Sequence, residues 1–143
     1  MSINAIVGLN EYLRGKINAD SIAVPTVADQ YDQFFPGIMG PDDKNIFILY
    51  TVTPIFGGDL YKLKMDRVVY RIYNPFFIRA HRAAELMLQY CNVHDIEATD
   101  LSVAGFRFQD LQARVISTDH GFFEDGQEFY RYYVDVETMY IEL

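Results

Sequence analysis

Between Asp66 and Cys91 the hydrophobic period of the chain changes from that of a strand to that of a helix. Val68, Tyr70 and Ile72 alternate with Arg67, Val69, Arg71 and Tyr73, as in a strand rich in β-branched and aromatic residues. Asn74 and Pro75 end that alternation. Asn is a favoured N-cap because its side-chain oxygen accepts a backbone N–H of the first turn, and Pro suits the first helical position, where an N–H would lack a partner. Phe77, Ala80, His81, Ala84, Met87, Leu88 and Cys91 then recur at helical spacing, with Arg79, Arg82, Glu85 and Gln89 elsewhere. The pattern predicts a strand feeding an amphipathic helix that runs from Pro75 to near Asn92, about 17 residues or roughly 25 Å, and covers a sheet.

The same reading extends in both directions. Ser2 caps a helix over Ile3–Ile17 with an apolar stripe of Ile3, Ile6, Val7, Leu9, Leu13 and Ile17. Residues 18–40 are too hydrophobic for a solvated linker and predict extended chain on the domain, with a short strand at Ser21–Val27 that Pro25 confines to an edge. Asn45–Thr53 reads as a strand covered on both faces, followed by a hairpin loop, Pro54–Asp59, whose tip carries Ile55 and Phe56. Two large apolar residues at a tip either fold back on the core or insert into a partner. From Tyr61 the apolar set shifts by one residue after Arg67, which predicts a bulge or break near Asp66. After a polar connection at Val93–Asp100, Leu101–Phe108 leads into a strand over Gln109–Thr118. Asp119–Gln127 forms an acidic hairpin loop, and Glu128–Glu142 a long closing strand. The expected architecture is one α+β domain over residues 1–143, an antiparallel β-sheet packed against two α-helices in the order α-β-β-α-β-β.

Composition narrows the function. A chain of 143 residues with half its residues hydrophobic builds its own core, and no run approaches a membrane span. Glu11, Arg14 and Lys16 interrupt any signal-peptide pattern, so synthesis in the cytoplasm is expected. The net charge of -8 argues against specific gripping of nucleic acid or anionic lipid, although DNA can pass beside a surface that repels it. The lone cysteine, Cys91, excludes an internal disulfide and reads as a buried small hydrophobe.

Chemistry has little support. His81 on the helical stripe reads as a satisfied core or interface residue, about 15 Å along the axis from Cys91. His94 with Asp95, Glu97 and Asp100, and His120 with Asp119, Glu124 and Asp125, lack metal-site spacing and read as solvated loops. Phosphate-cradling and nucleophile-elbow motifs are missing from the sequence. No catalytic residue, cofactor or metal ligand is assigned, and assembly becomes the expected role.

The initial amphipathic helix, the aromatic hairpin from Asn45 to Tyr73 and the helix from Asn74 to Cys91 with its small-residue centre Ala80, Ala83 and Ala84 stand in a telling order. With the closing hairpin and its Glu128–Val136 strand, they resemble the tail terminator, or tail-completion, proteins of tailed bacteriophages. The resemblance spans nearly the whole chain and is one of pattern. It implies a non-enzymatic virion protein forming a homo-oligomeric ring, a hexamer, that caps the tail tube, stops its growth and meets the head-completion or connector protein. Under that resemblance Ile55, Phe56, Val69, Arg71, Tyr73, Phe122 and Phe123 are candidate subunit or partner contacts. Asp119, Glu124 and Asp125 are candidate channel-lining acids that keep DNA moving. Two alternatives stand beside it: another neck or minor tail protein, such as a head-closure factor, and a ferredoxin-like ligand-binding domain or enzyme.

Overall fold

The computed structural model describes residues 3–24, 34–36, 47–57, 63–92, 102–103, 105–124 and 126–143. Two helices, α1 (Ile3–Asn18) and α2 (Phe77–Tyr90), pack on one face of a sheet. Its strands are β1 (Phe34–Pro36), β2 (Phe47–Gly57), β3 (Leu63–Asn74), β4 (Ser102–Val103), β5 (Phe106–Phe122) and β6 (Glu128–Glu142), in the spatial order β1-β2-β3-β6-β5-β4. The four long strands are antiparallel throughout, and the expected order of two helices and four strands holds. Two short strands are added at the edges: β1 runs parallel to β2, and β4 pairs only with Phe106 and Arg107 of β5.

One face of the sheet faces the helices. Ile48, Val68, Tyr70, Ile72, Val134, Val136 and Tyr140 bury against Ala5, Ile6, Leu9, Leu13 and Ile17 of α1 and Ala80, Ala83, Ala84, Leu86 and Met87 of α2. Each large aliphatic side chain buried there stabilises the fold by about 1.5–3 kcal/mol. The three alanines bring the α2 backbone close to the strands. Burial pushes the Cys91 thiol up to about 12, so it stays protonated in the core.

Several expected boundaries moved for identifiable reasons. Asn74 is not the N-cap of α2: it is buried, and its Oδ1 accepts the N–H of Phe76 at 2.7 Å in a turn that delays the helix to Phe77. The buried face of α2 is also rotated, with Ala83 and Leu86 inside and Phe77 and His81 outside. Ser21–Val24 forms a turn, because Asp20 Oδ1 accepts the N–H groups of Ile22 and Ala23 at 3.0 and 2.9 Å; residues 25–27 of the expected strand lie outside the described residues. Arg82 reaches the other oxygen of Asp20 at 2.9 Å and ties the end of α1 to α2. Desolvation alone would raise the Asp20 pKa, but the bonds from Arg82, Ala23 and Ile22 outweigh it and hold the carboxyl below its usual range.

The strands run further than the alternation predicts. β2 continues through Pro54 and Ile55 to Gly57, so Ile55 is no loop tip. The bulge or break expected near Asp66 is not in β3, which runs unbroken: Leu63 and Met65 lie on the face away from the helices and Val68, Tyr70 and Ile72 on the helix side, while the register shift falls opposite, in β2 at Ile55, between the pairs Pro54–Asp66 and Phe56–Met65. Asp66 lies on the helix side, accepting the Tyr140 hydroxyl at 2.5 Å. Asp119–Phe122 belong to β5, which shortens the closing loop to the turn after Phe122; there Gly126 sits at φ 84°, a conformation that favours glycine.

Candidate assembly surface

The face of the sheet turned away from the helices is where charge concentrates. Period-two alternation puts Phe129, Arg131, Tyr133, Asp135 and Glu137 of β6 on that face, opposite Tyr73, Arg71, Val69 and Arg67 of β3. Arg131 holds Asp119 of β5 through two bonds, the Nε–Oδ1 contact being 2.8 Å, and lies over the rings of Tyr73, Phe129 and Tyr133 at 5.4, 5.4 and 4.9 Å. The Asp119 carboxylate raises the Arg131 pKa further above its usual range. Asp135, only 3% exposed, is flanked by Arg67 Nε at 3.3 Å and Arg114 Nε at 3.4 Å, and Arg67 also reaches Glu137 at 2.5 Å. A carboxylate this buried on a sheet face persists because arginines of the two flanking strands, β3 and β5, stand against it.

The register puts five arginines on this face, Arg67, Arg71, Arg107, Arg114 and Arg131, against four carboxylates, Asp110, Asp119, Asp135 and Glu137. That is a balance of +1. The rest of the chain, seven basic and sixteen acidic residues, carries -9. The helix-free face is thus a cross-linked, near-neutral lattice on an acidic molecule. At one end of it Leu49, Tyr73 and Phe129 form a small buried cluster, with Phe123 packed on the rings of Tyr73 and Phe129 at 6.1 and 4.6 Å.

The opposite side of the same hairpin end is also aromatic. Phe77, His81, His120, Phe122, Tyr130 and Tyr132 form a continuous chain of ring contacts, 4.9–6.2 Å between centroids. His81 bridges Glu85 at 2.8 Å and the Tyr132 hydroxyl at 3.0 Å, and His120 meets Glu128 at 2.6 Å. The charge of Glu128 raises the Tyr130 pKa, and burial with Glu85 does the same for Tyr132. Phe77 and Phe122 remain 51% and 65% exposed.

The sequence-based contact residues therefore fall into separate places. Val69, Arg71, Tyr73 and Phe123 share the helix-free face, and Asp119 joins them as the partner of Arg131 rather than as a free acid or a neighbour of His120. Phe122 points to the helix side. Ile55, 48% exposed, sits in the bulge at the other end of the sheet; the Phe56 side chain, Asp125 and the whole His94 cluster lie outside the described residues. Glu124 is exposed in the closing turn. Sequence reasoning missed Arg67, Arg114, Arg131, Asp135 and Glu137, although the alternation of Arg131, Asp135 and Glu137 with Tyr132, Val134 and Val136 was a signal for them. Among the described residues no three His, Cys, Asp or Glu side chains gather as a metal site.

No protein-family model matches this chain, and no curated protein matches it. Among solved structures, a chain of the "Virion of native gene transfer agent (GTA) particle" superposes with a TM-score of 0.57 at 13% sequence identity, covering 97% of this chain and 99% of that one. At that identity the likeness is one of fold, and it extends over the whole length of both chains.

Proposed function

We propose that this protein is a structural virion subunit that assembles as a six-membered ring on the end of a phage-type tail tube, stops tube growth and joins the tail to the head connector. The observation that carries this reading is the end-to-end likeness of fold to a chain of a gene transfer agent virion. The helix-free face supports it. Arg67, Arg114 and Arg131 are already neutralised by Asp135, Glu137 and Asp119, so a duplex passing over this face meets guanidinium groups that are occupied rather than free to grip phosphates. In this reading Val69, Arg71, Tyr73 and Phe123 lie on the face turned to the ring axis. In the same reading Glu124 and Asp125 are acids at the mouth of the channel.

The test is the mass of the purified protein by light scattering, together with electron micrographs of the protein mixed with growing tail tubes. Six-membered rings and tubes that stop growing with a cap at one end are expected. A protein that leaves tube growth unchanged and never forms a ring, alone or on tube ends, sinks the proposal. A ring that binds the connector but not the tube would instead make it another neck protein.

A further inference from the structure

The β5 edge is left open over its second half. The Asn92 side chain at the end of α2 accepts the N–H of Ala113 at 3.0 Å and donates to its carbonyl at 3.2 Å, taking both groups that an adjacent strand would use. Beyond that stop residues 114–120 are all exposed, with Val115 at 37% and Ile116 at 53%. Among the described residues β5 pairs here with β6 alone, since β4 reaches no further than Arg107. The helix-side residues of the stretch, Val115, Thr118 and His120, are exposed too, so the helices leave room beside it. An open edge that carries bare aliphatic groups is a template for strand addition.

The bulge in β5 fixes which residues can bond to a neighbour. Asn92 meets Ala113 from outside, so Ala113 points its N–H and C=O away from β6, and Val115 does the same two residues on. The extra residue, Ile116, resets the phase, and Thr118 and His120 are the next to face outward. The outward set of Ala113, Val115, Thr118 and His120 is therefore symmetric about the step from Ile116 to Ser117. An antiparallel copy of β5 matches the whole set in one register, with Val115 opposite Thr118 and Thr118 opposite Val115. That register also sets Arg114 of each copy opposite Asp119 of the other, on the helix-free face of both, and opposite charges directly across a strand pair attract. Arg114 is 72% exposed with a long contact to Asp135 at 3.4 Å, and Asp119 is 42% exposed beside Arg131. Competing registers fare worse: Thr118 against His120 sets Asp119 on Asp119, and Val115 against His120 sets the outward Thr118 on the inward Ser117.

We propose that two copies of the free protein pair β5 against β5 about a two-fold axis between Ile116 and Ser117, joining their sheets over residues 114–119 with the helices of both on one side. Asn92 ends the pairing at each end, because His120 of one copy would next meet the occupied Ala113 of the other. So short a strand pair falls well below the roughly 20–30 residues a side of a standard interface, and the dimer is reversible. It shields an edge that would otherwise recruit strands without discrimination. A two-fold contact uses the same surface on both copies and stops at two, so it is not the head-to-tail contact of a ring and does not rest on that reading.

The experiment mixes single variants of the full chain. Arg114→Cys and Asp119→Cys, each oxidised mildly by itself, should stay uncross-linked on denaturing gels, and their mixture should give a disulfide dimer. The two positions form a non-hydrogen-bonded pair with Cα atoms about 4.5 Å apart, within disulfide reach. The buried Cys91, its thiol pushed up to about 12, does not compete. Sedimentation over a range of concentrations gives a second readout without a covalent bond. Arg114→Asp, at an exposed side chain, should keep its circular dichroism melt and weaken the dimer by about tenfold or more, because it sets like charges across both pairs. Asp119→Arg should weaken it likewise, and mixing these two variants should restore it. A cross-link from Asp119→Cys alone would put Asp119 against itself and overturn the register. No cross-link in the cysteine mixture, or an Arg114→Asp chain that dimerises as well as the unchanged one, overturns the pairing whether or not rings form on tube ends.

Discussion

Tyr70 and Asn10 offer a measurement of how α1 is held on the sheet. The Tyr70 hydroxyl donates to Asn10 Oδ1 at 2.7 Å, and both residues are buried, Tyr70 in β3 and Asn10 in α1. Burial raises the Tyr70 pKa well above its usual value, so the proton stays on the oxygen and the direction of the bond is settled. Tyr70→Phe removes only the hydroxyl but leaves a buried carbonyl oxygen without its donor. The cost is the net hydrogen bond plus the desolvation of that oxygen, about 1–3 kcal/mol. For a chain of this length that corresponds to a fall in Tm of roughly 3–10 °C. Asn10→Leu strands the hydroxyl instead and should cost a similar amount. The double variant, with no polar group left, should recover about 1–2 kcal/mol of the summed losses. Urea unfolding at one fixed protein concentration measures all four chains, because assembly would otherwise shift the midpoint. A Tyr70→Phe loss below about 0.5 kcal/mol, or strictly additive single losses, would refute the idea that this bond anchors the helix.

Two further outcomes follow from other parts of the fold. Asp20→Asn should cost about 1–2 kcal/mol at pH 7 by weakening the Arg82 and backbone bonds. Because the folded-state pKa lies below the unfolded one, that stability is present above the ordinary carboxylate range and lost as pH falls through the folded value. Urea midpoints of the two chains should therefore converge once the pH has fallen below the folded-state pKa of Asp20, and a difference that persists there would contradict the assignment. Gly121→Ala would place a Cβ 2.9 Å from the Phe129 ring, which is held between Tyr73 and Phe123, so the hairpin end must shift at a cost of about 1–3 kcal/mol. Unchanged stability and near-ultraviolet dichroism would show that the ring moves freely.

The class of fold was legible because two periods are written plainly in the chain. The stripe of Leu9, Leu13 and Ile17 and the alternation of Val68, Tyr70 and Ile72 each suffice to name an element and its buried face, since burial acts on every second strand residue and every third or fourth helical one. The limits of elements were less legible where a side chain bonds locally to the backbone. Asn74 and Asp20 both form turns whose geometry depends on which N–H is within reach, and composition does not carry that.

The candidate surface divided in the same way. Sequence alone determined that the strands bear large aromatic and charged residues on both faces, and hence that helices on one side leave the other to be accounted for. Only the tertiary structure decided how that second face is organised. Asp119, Arg131 and Tyr73 come from three strands, as do Arg67, Asp135 and Arg114, with β3 well upstream of the β5–β6 hairpin, and their pairing exists only through the register of β3, β5 and β6. The same register makes Asp119 half of an ion pair with Arg131. Periodicity is a property of neighbours along one strand, whereas register depends on where turns and bulges set each strand against the next.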